Sequence, residues 1–371
     1  MTKKTLFLHI GTHKTGTSTL QYYLHRNRMA LRTDGIVYPF LDNTKKTLRI
    51  AHHNFALALT DLDHRPEMLR PIPELVDALW QETAADEQVL LSSERFWRGT
   101  VGRRSSKAQY EAAQAKYVAR VSKALNAFDV TVLVTLRPQD EYLLSLYRGK
   151  CTRRDKVPEV KTFSRPFEAR MDYKASLETW AQAFGHDNIR VRIYNPQGVG
   201  VARLQRTFDD FGISHRIPPD YDLLERHQSP SGEVTELLRS IGYLPLEGID
   251  IKKTKETMLT VLNTDPAFTH LGELFYKESV TVNFDFSLSE TNAQIAEAFL
   301  PDTKPLLFGR EVSDQLPQYV PRDFNALAEI YNMLFDRVFG DKISWSKLTV
   351  GELAAAFAQM QVSEDQGDDL D

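Results

Sequence analysis

The chain has 371 residues, 42% hydrophobic and 26% charged, and a formal net charge of −4. This length suits an α/β domain with insertions, and the composition is that of a globular protein with a large core. The negative balance excludes general nucleic-acid binding, which needs a basic domain. The single cysteine, Cys151, excludes an internal disulfide or a cysteine-built zinc site and fits a reducing compartment.

Lys3 and Lys4 precede the apolar run TLFLHIG, as in a signal peptide, but the run is short and leads into a polar loop without a small-residue cleavage site. No stretch approaches the ~18 apolar residues of a membrane span, so the protein is expected to be cytosolic. Thr5 to Ile10 reads as a buried parallel strand ending at Gly11. Leu20, Tyr23, Leu24 and Leu31 then share one helical face, and Gly35 stops that helix before a short strand in GIVYP. AHHNFALAL predicts a helix, and the hinge RPIPE leads through another to the strand QVLLSSE. A long helix is predicted from Ser106 to Phe128, followed by VTVLVTLRP, a β-branched run suited to a central strand.

Pro138 opens the next helix. DYKASLETWAQAFG predicts a further helix and IRVRIYN the last strand of the sheet. Strands alternating with helices predict an α/β, P-loop-type three-layer fold: a central parallel sheet flanked by helices, with a mostly helical C-terminal part. Residues 1–216 are expected to form the core, and 217–360 to complete the same domain as a lid or acceptor region. Within that part, 218–286 mixes loops and short helices, while Phe324, Leu327, Ile330, Tyr331, Leu334 and Val338 line one helical face. The acidic end, residues 361–371, is expected to be disordered.

The loop from Gly11 to Ser18 carries the chemistry. It joins a strand to a helix, so its amides and the helix dipole favour an anion, and the hydroxyls of Thr15, Thr17 and Ser18 add donors. In the ATP-binding loop G-x-x-x-x-G-K-[ST] the lysine follows the second glycine. Here Lys14 precedes Gly16 by two residues, and the second glycine is not followed by the Lys-Ser/Thr pair that holds magnesium. His9 and His13 have an H-x-x-x-H spacing but run from strand into loop, so no metal site is expected.

THKTGTSTL resembles the 5′-phosphosulfate loop of sulfotransferases that use 3′-phosphoadenosine 5′-phosphosulfate (PAPS), whose pattern is approximately K-[ST]-G-[ST]-[ST]. A second landmark of that family is an arginine at the end of a central strand with a serine eight residues later; Arg137 and Ser145 match it. HIGTHKTGTSTLQ, GIVYP, SSERFW, DYKASLETWAQAFG and VRIY resemble elements of bacterial sulfotransferase-like proteins, in the same order, over the first ~200 residues. The resemblance implies that Lys14 reaches the bridging oxygen between phosphate and sulfuryl group, and that His13, Lys14, Thr15, Gly16, Thr17 and Ser18 line the donor. It implies that Arg137 and Ser145 bind the 3′-phosphate. It further implies PAPS as co-substrate without a metal, and a hydroxyl-bearing acceptor such as a carbohydrate or glycolipid. The family's basic C-terminal loop has its nearest counterpart in LLFGREV, with Arg310.

Transfer to a hydroxyl needs a base. Glu94, at the end of the strand expected beside the loop, is one candidate; His52 or His53 is the other, and side chains of adjacent helical residues point ~100° apart, so at most one enters the site. Between Arg95 and Arg154 basic residues far outnumber acidic ones, which suits a polyanionic ligand. The alternatives are a P-loop kinase using ATP and magnesium, with Glu94 as its strand-end acid, and a non-catalytic binding protein on a nucleotide-binding fold.

Overall fold

The computed structural model describes residues 3–41, 50–60, 70–98, 106–195, 200–223, 230–300, 306–340 and 347–362. The last helix, Val350–Val362, takes in the first two residues of the expected acidic tail, whose remainder lies outside the described residues. The chain forms two compact units, each built from three separate stretches.

The first unit comprises Met1–Pro138, Glu168–His227 and Asp285–Val312. Its sheet contains β1 (Lys4–His9), β2 (Ile36–Val37), β3 (Gln88–Ser92), β4 (Phe128–Leu136) and β5 (Ile189–Ile193), all parallel, in the order β2-β3-β1-β4-β5. In β1, Leu8 lies opposite Leu91 of β3 and Val132 of β4. Side chains alternate between faces along a strand, and here both faces are buried. Leu6, Leu8 and Ile10 join Tyr117, Leu177 and Trp180 from the helices Lys107–Ala124 and Tyr173–Phe184. Phe7 faces the other way, into a core with Leu20 and Leu24 of the helix Thr17–Arg26 and Phe208 of the helix Gly200–Phe211. This is the three-layer α/β arrangement expected.

Local signals fix the ends of these elements. Ser106 starts the 18-residue helix Lys107–Ala124 with a reciprocal capping box to Gln109. The expected extension of this helix to Phe128 is overridden by the sheet, because Phe128 pairs with Lys4 as the first residue of β4. Asp172 caps the helix Tyr173–Phe184 by accepting from the Ala175 N–H at 3.0 Å, and Gly185, at φ 93°, ends it.

The second unit comprises Gln139–Phe167, Gln228–Phe284 and Ser313–Asp371. Its core is helical: Leu327, Tyr331 and Leu334 of the helix Phe324–Phe339 are fully buried, as their spacing predicts, among Leu237, Ile241 and Met258. A buried ion pair joins Glu236 to Arg239 at 2.7 Å, and Tyr147 donates to the same carboxylate at 2.8 Å. The sequence reading misses an antiparallel pair here, β6 (Phe275–Thr281) with β7 (Gln315–Pro321). Four consecutive residues of β6 are exposed, and β7 contains Pro317 and Pro321, so neither carries the alternation or composition that marks a strand. No helix among the described residues is long and apolar enough to cross a membrane.

Because Leu8 sits fully buried in the central strand, Leu8→Ala should lower stability by about 2–5 kcal/mol, read from the shift of the urea unfolding midpoint.

Candidate active site

Strand order reverses at β1, with β3 on one side and β4 on the other, and the loop after β1 emerges where ligands bind in open α/β sheets. The loop hangs from both neighbours. The Ile10 N–H donates to Leu133 O at 3.0 Å, and the Thr12 N–H and hydroxyl both donate to Thr135 O, at 3.2 and 2.9 Å. On the other flank the Ser93 N–H donates to His9 O at 3.0 Å. Thr15 donates its hydroxyl proton to Thr12 O at 2.7 Å, so that side chain braces the loop.

Two residues of the loop are left-handed: Gly16 at φ 80° and Lys14 at φ 68°, the one non-glycine residue so placed among those described. For an L-residue this region costs about 1–2 kcal/mol, a strain that collects at functional sites. Gly16 opens the helix Thr17–Arg26, which has no side-chain cap and no acidic residue in its first turn. Its leading amides therefore remain available to an anion. Thr15 and Thr17 are buried, whereas Gly16 and Ser18 are exposed. A cleft open to solvent lies against this turn, lined by Thr15, Gly16, Thr17, Tyr194, Arg192 and Arg203.

Arg137, one residue beyond β4, donates to the carbonyl of Lys14 at 3.0 Å, while its guanidinium lies over the Tyr194 ring, 5.3 Å from the centroid. The Tyr173 hydroxyl donates to Arg137 O at 3.0 Å. Tyr194 escaped the sequence reading; its position just after a strand was the available signal. Ser145 is buried on the helix Gln139–Arg153 of the second unit. Arg310 is exposed, and its guanidinium donates to Glu311 O at 2.8 Å. Of the basic run, Arg103 and Arg104 lie outside the described residues.

Glu94 follows β3, the strand beside β1, by two residues, and a polar cluster forms around it. His13 Nδ1 lies 3.7 Å and His53 Nε2 3.8 Å from its Oε1, and Gln21 donates to its Oε2 at 2.9 Å. Gln21, on the helix that opens at the loop, also donates to the Ser92 hydroxyl at 3.2 Å. Burial alone would raise the Glu94 pKa; the facing His13 and His53 charges and the Gln21 bond outweigh it and hold the carboxyl well below the usual range, at about 2. The imidazoles exert that pull only while protonated, whereas the amide bond acts at any pH.

Three further histidines bond to the strand-end segment Ser92–Ser93. His52, at the start of the helix His53–Ala58, accepts the Ser92 N–H at Nδ1 and donates from Nε2 to Pro39 O, both at 2.9 Å. The ring is thus a neutral tie between the helix and β3, with both nitrogens engaged. His53 Nδ1 bonds the Ser93 hydroxyl at 2.8 Å. His9, fully within the protein, bonds the Ser92 hydroxyl through Nδ1 at 2.8 Å. Among the described residues no group of three or more His, Cys, Asp or Glu is placed to hold a metal ion.

Burial lowers the His9 pKa from 6.5 to about 4. The unfolded chain therefore takes up a proton first as pH falls, so the stability contributed by neutral His9 is full above 6.5 and gone below 4. That gap corresponds to about 3 kcal/mol. Glu94 adds a loss of the same sign at lower pH, between 4.5 and 2. The urea midpoint should fall from pH 6.5 to 4, and His9→Gln should flatten this slope.

Among solved structures, the chain resembles the crystal structure of a sulfotransferase from Alicyclobacillus acidocaldarius at 15% identity and a TM-score of 0.35, over 59% of this chain and 88% of that one. No family model matches the chain, and no curated protein matches it.

Proposed function

We propose that the chain is a sulfotransferase that takes PAPS as donor and a hydroxyl-bearing acceptor, with carbohydrates and glycolipids as the acceptor class. The observation that carries the reading is the loop after β1, in which a left-handed lysine stands two residues before the helix-opening glycine and a strand-end arginine bonds the carbonyl of that lysine. The residues present fit such a donor. The amides from Gly16 onward and the exposed Ser18 hydroxyl suit a phosphate, and Arg137 and Arg203 bring positive charge to the loop and its cleft, where Arg192 is paired with Asp210.

When bound, PAPS supplies a sulfuryl group carried on a phosphate. By analogy with phosphoryl transfer, the protein's task is positioning and charge stabilisation. The Lys14 ammonium meets negative charge developing on the phosphate oxygen, and its fixed backbone limits the reorganisation needed at that moment. The cluster around Glu94 receives the acceptor's proton. Aromatic Tyr194 beside Arg137 offers a flat apolar surface next to a cation, suited to a nucleoside.

The kinase reading asks Glu94 to face magnesium. His13 and His53, at 3.7 and 3.8 Å from its Oε1, would compete with a dication for that oxygen whenever protonated.

Calorimetric titration tests the choice. The full chain should bind 3′,5′-ADP in preference to ATP with magnesium, and Arg137→Ala should weaken that binding tenfold or more, about 1.4 kcal/mol. Lys14→Ala should slow transfer about 10²–10³-fold. Preference for ATP with magnesium returns the kinase, and binding of neither nucleotide returns the non-catalytic reading.

A further inference from the structure

We infer that His13 is the group that accepts the acceptor's proton and that Glu94 positions it, an inference that rests on the sulfotransferase reading above. The geometry is that of a carboxylate behind an imidazole. Glu94 Oε1 lies 3.7 Å from His13 Nδ1, an ion-pair distance of the kind that tightens when an active site closes on its ligands. The other carboxylate oxygen is fixed by Gln21. An anion so held raises the proton affinity of the ring in front of it and sets which ring nitrogen carries the resting proton.

Several other groups surround Glu94. His53, from the helix behind, is nearly as exposed as His13, at 21%, and directs one nitrogen at Ser93 and the other at Glu94, but it stands outside the loop that carries Lys14. His52 has both nitrogens in backbone bonds. His9 is buried against Ser92, and Tyr38, whose pKa burial and the Glu94 charge raise, is buried as well. Glu94 is only 12% exposed, with Gln21 on one carboxylate oxygen and two imidazoles facing the other. His13 is 23% exposed and belongs to the loop itself, next in sequence to Lys14. Adjacent α-carbons lie about 3.8 Å apart, so one short loop delivers both the base and the leaving-group cation.

The step balances. The acceptor oxygen forms a bond to sulfur as the sulfur–oxygen bond to the donor phosphate breaks. The acceptor's proton passes to the His13 ring, and 3′,5′-ADP leaves with the electron pair beside Lys14. Glu94 stays ionised throughout and stabilises the imidazolium.

The test uses the full chain carrying ¹³C-labelled histidine, with ring Cε1–H signals followed against pH and assigned through His13→Gln and His53→Gln. Glu94→Gln should lower the His13 midpoint by about one pH unit or more, a tenfold loss of proton affinity. In parallel, release of sulfate from PAPS to water is followed with enzyme in excess, and His13→Gln should slow it about 10²-fold or more and remove its dependence on pH. An unmoved His13 midpoint in Glu94→Gln, or release by His13→Gln at the full rate, overturns the inference. So does failure of the unmodified chain to release sulfate above the buffer rate, since a base that activates a hydroxyl there also activates water. Titration of 3′,5′-ADP into the same samples separates the two levels. Retained nucleotide binding with any of these three results refutes His13 alone, whereas no binding by the unmodified chain refutes the donor reading and this inference with it.

Discussion

The carbonyl of Thr135 receives two hydrogen bonds from Thr12, one from the backbone and one from the hydroxyl, and much of the site depends on that doubled contact. It extends the β1–β4 pairing past the formal end of the strand and into the loop, so the turn leaves the sheet in one direction only. With Ser93 bound to His9 O on the other flank, the loop is clamped between its two neighbours before any ligand arrives. The amides at Gly16 are thereby aimed without a side-chain cap, an arrangement that leaves donors unsatisfied for an anion to use. Such preorganisation matters because ordering a floppy loop at the moment of binding would consume much of the binding free energy.

The histidines illustrate how hydrogen-bond demand sorts one residue type into different roles. An imidazole has two ring nitrogens, and a ring whose nitrogens both serve the fold cannot also carry a proton to and fro. His52 spends both on Ser92 and Pro39, and His9 is kept neutral by burial. Those two rings hold β3, the helix behind it and β1 together. The rings facing Glu94 lie nearer solvent, with the carboxylate between them at 3.7 and 3.8 Å. The polar cluster is therefore continuous from the buried end at His9 and Ser92, through Gln21, to the accessible end at His13.

Much of the first unit was legible in the sequence because its signals are local. The apolar run before Gly11 is a strand whose last four residues are buried, VTVLVTL forms most of β4, and Asp172 and Gly185 mark a helix they do cap. Glu94 could be placed next to the loop because a strand between two helices in this fold class pairs in parallel, and β3 does pair with β1. Contacts across long sequence separations were not legible. His13 and Glu94 stand 81 residues apart, Gln21 and Glu94 73, and nothing in either neighbourhood advertises the other. The β6–β7 pair failed for a different reason, since prolines and a run of exposed residues erase the alternation a strand normally shows. The assembly of each unit from three stretches is likewise a property of packing, which periodicity within a segment does not encode.

Arg137 links the energetics of the loop to its electrostatics. A lysine in the left-handed region costs about 1–2 kcal/mol and would ordinarily relax. Here the carbonyl of that same Lys14 accepts a hydrogen bond from a guanidinium, and bonds to charged groups contribute about 1.5–3 kcal/mol. The two magnitudes are comparable, so the strain can persist without a ligand, provided the cation stays in place. The cation is itself steered by the Tyr194 ring, and the Arg137 backbone is tied to the sheet's helical cover through Tyr173. A residue that the sequence suggests only as a phosphate contact thus also holds the backbone of Lys14, so loop shape depends on a side chain remote from the loop in sequence.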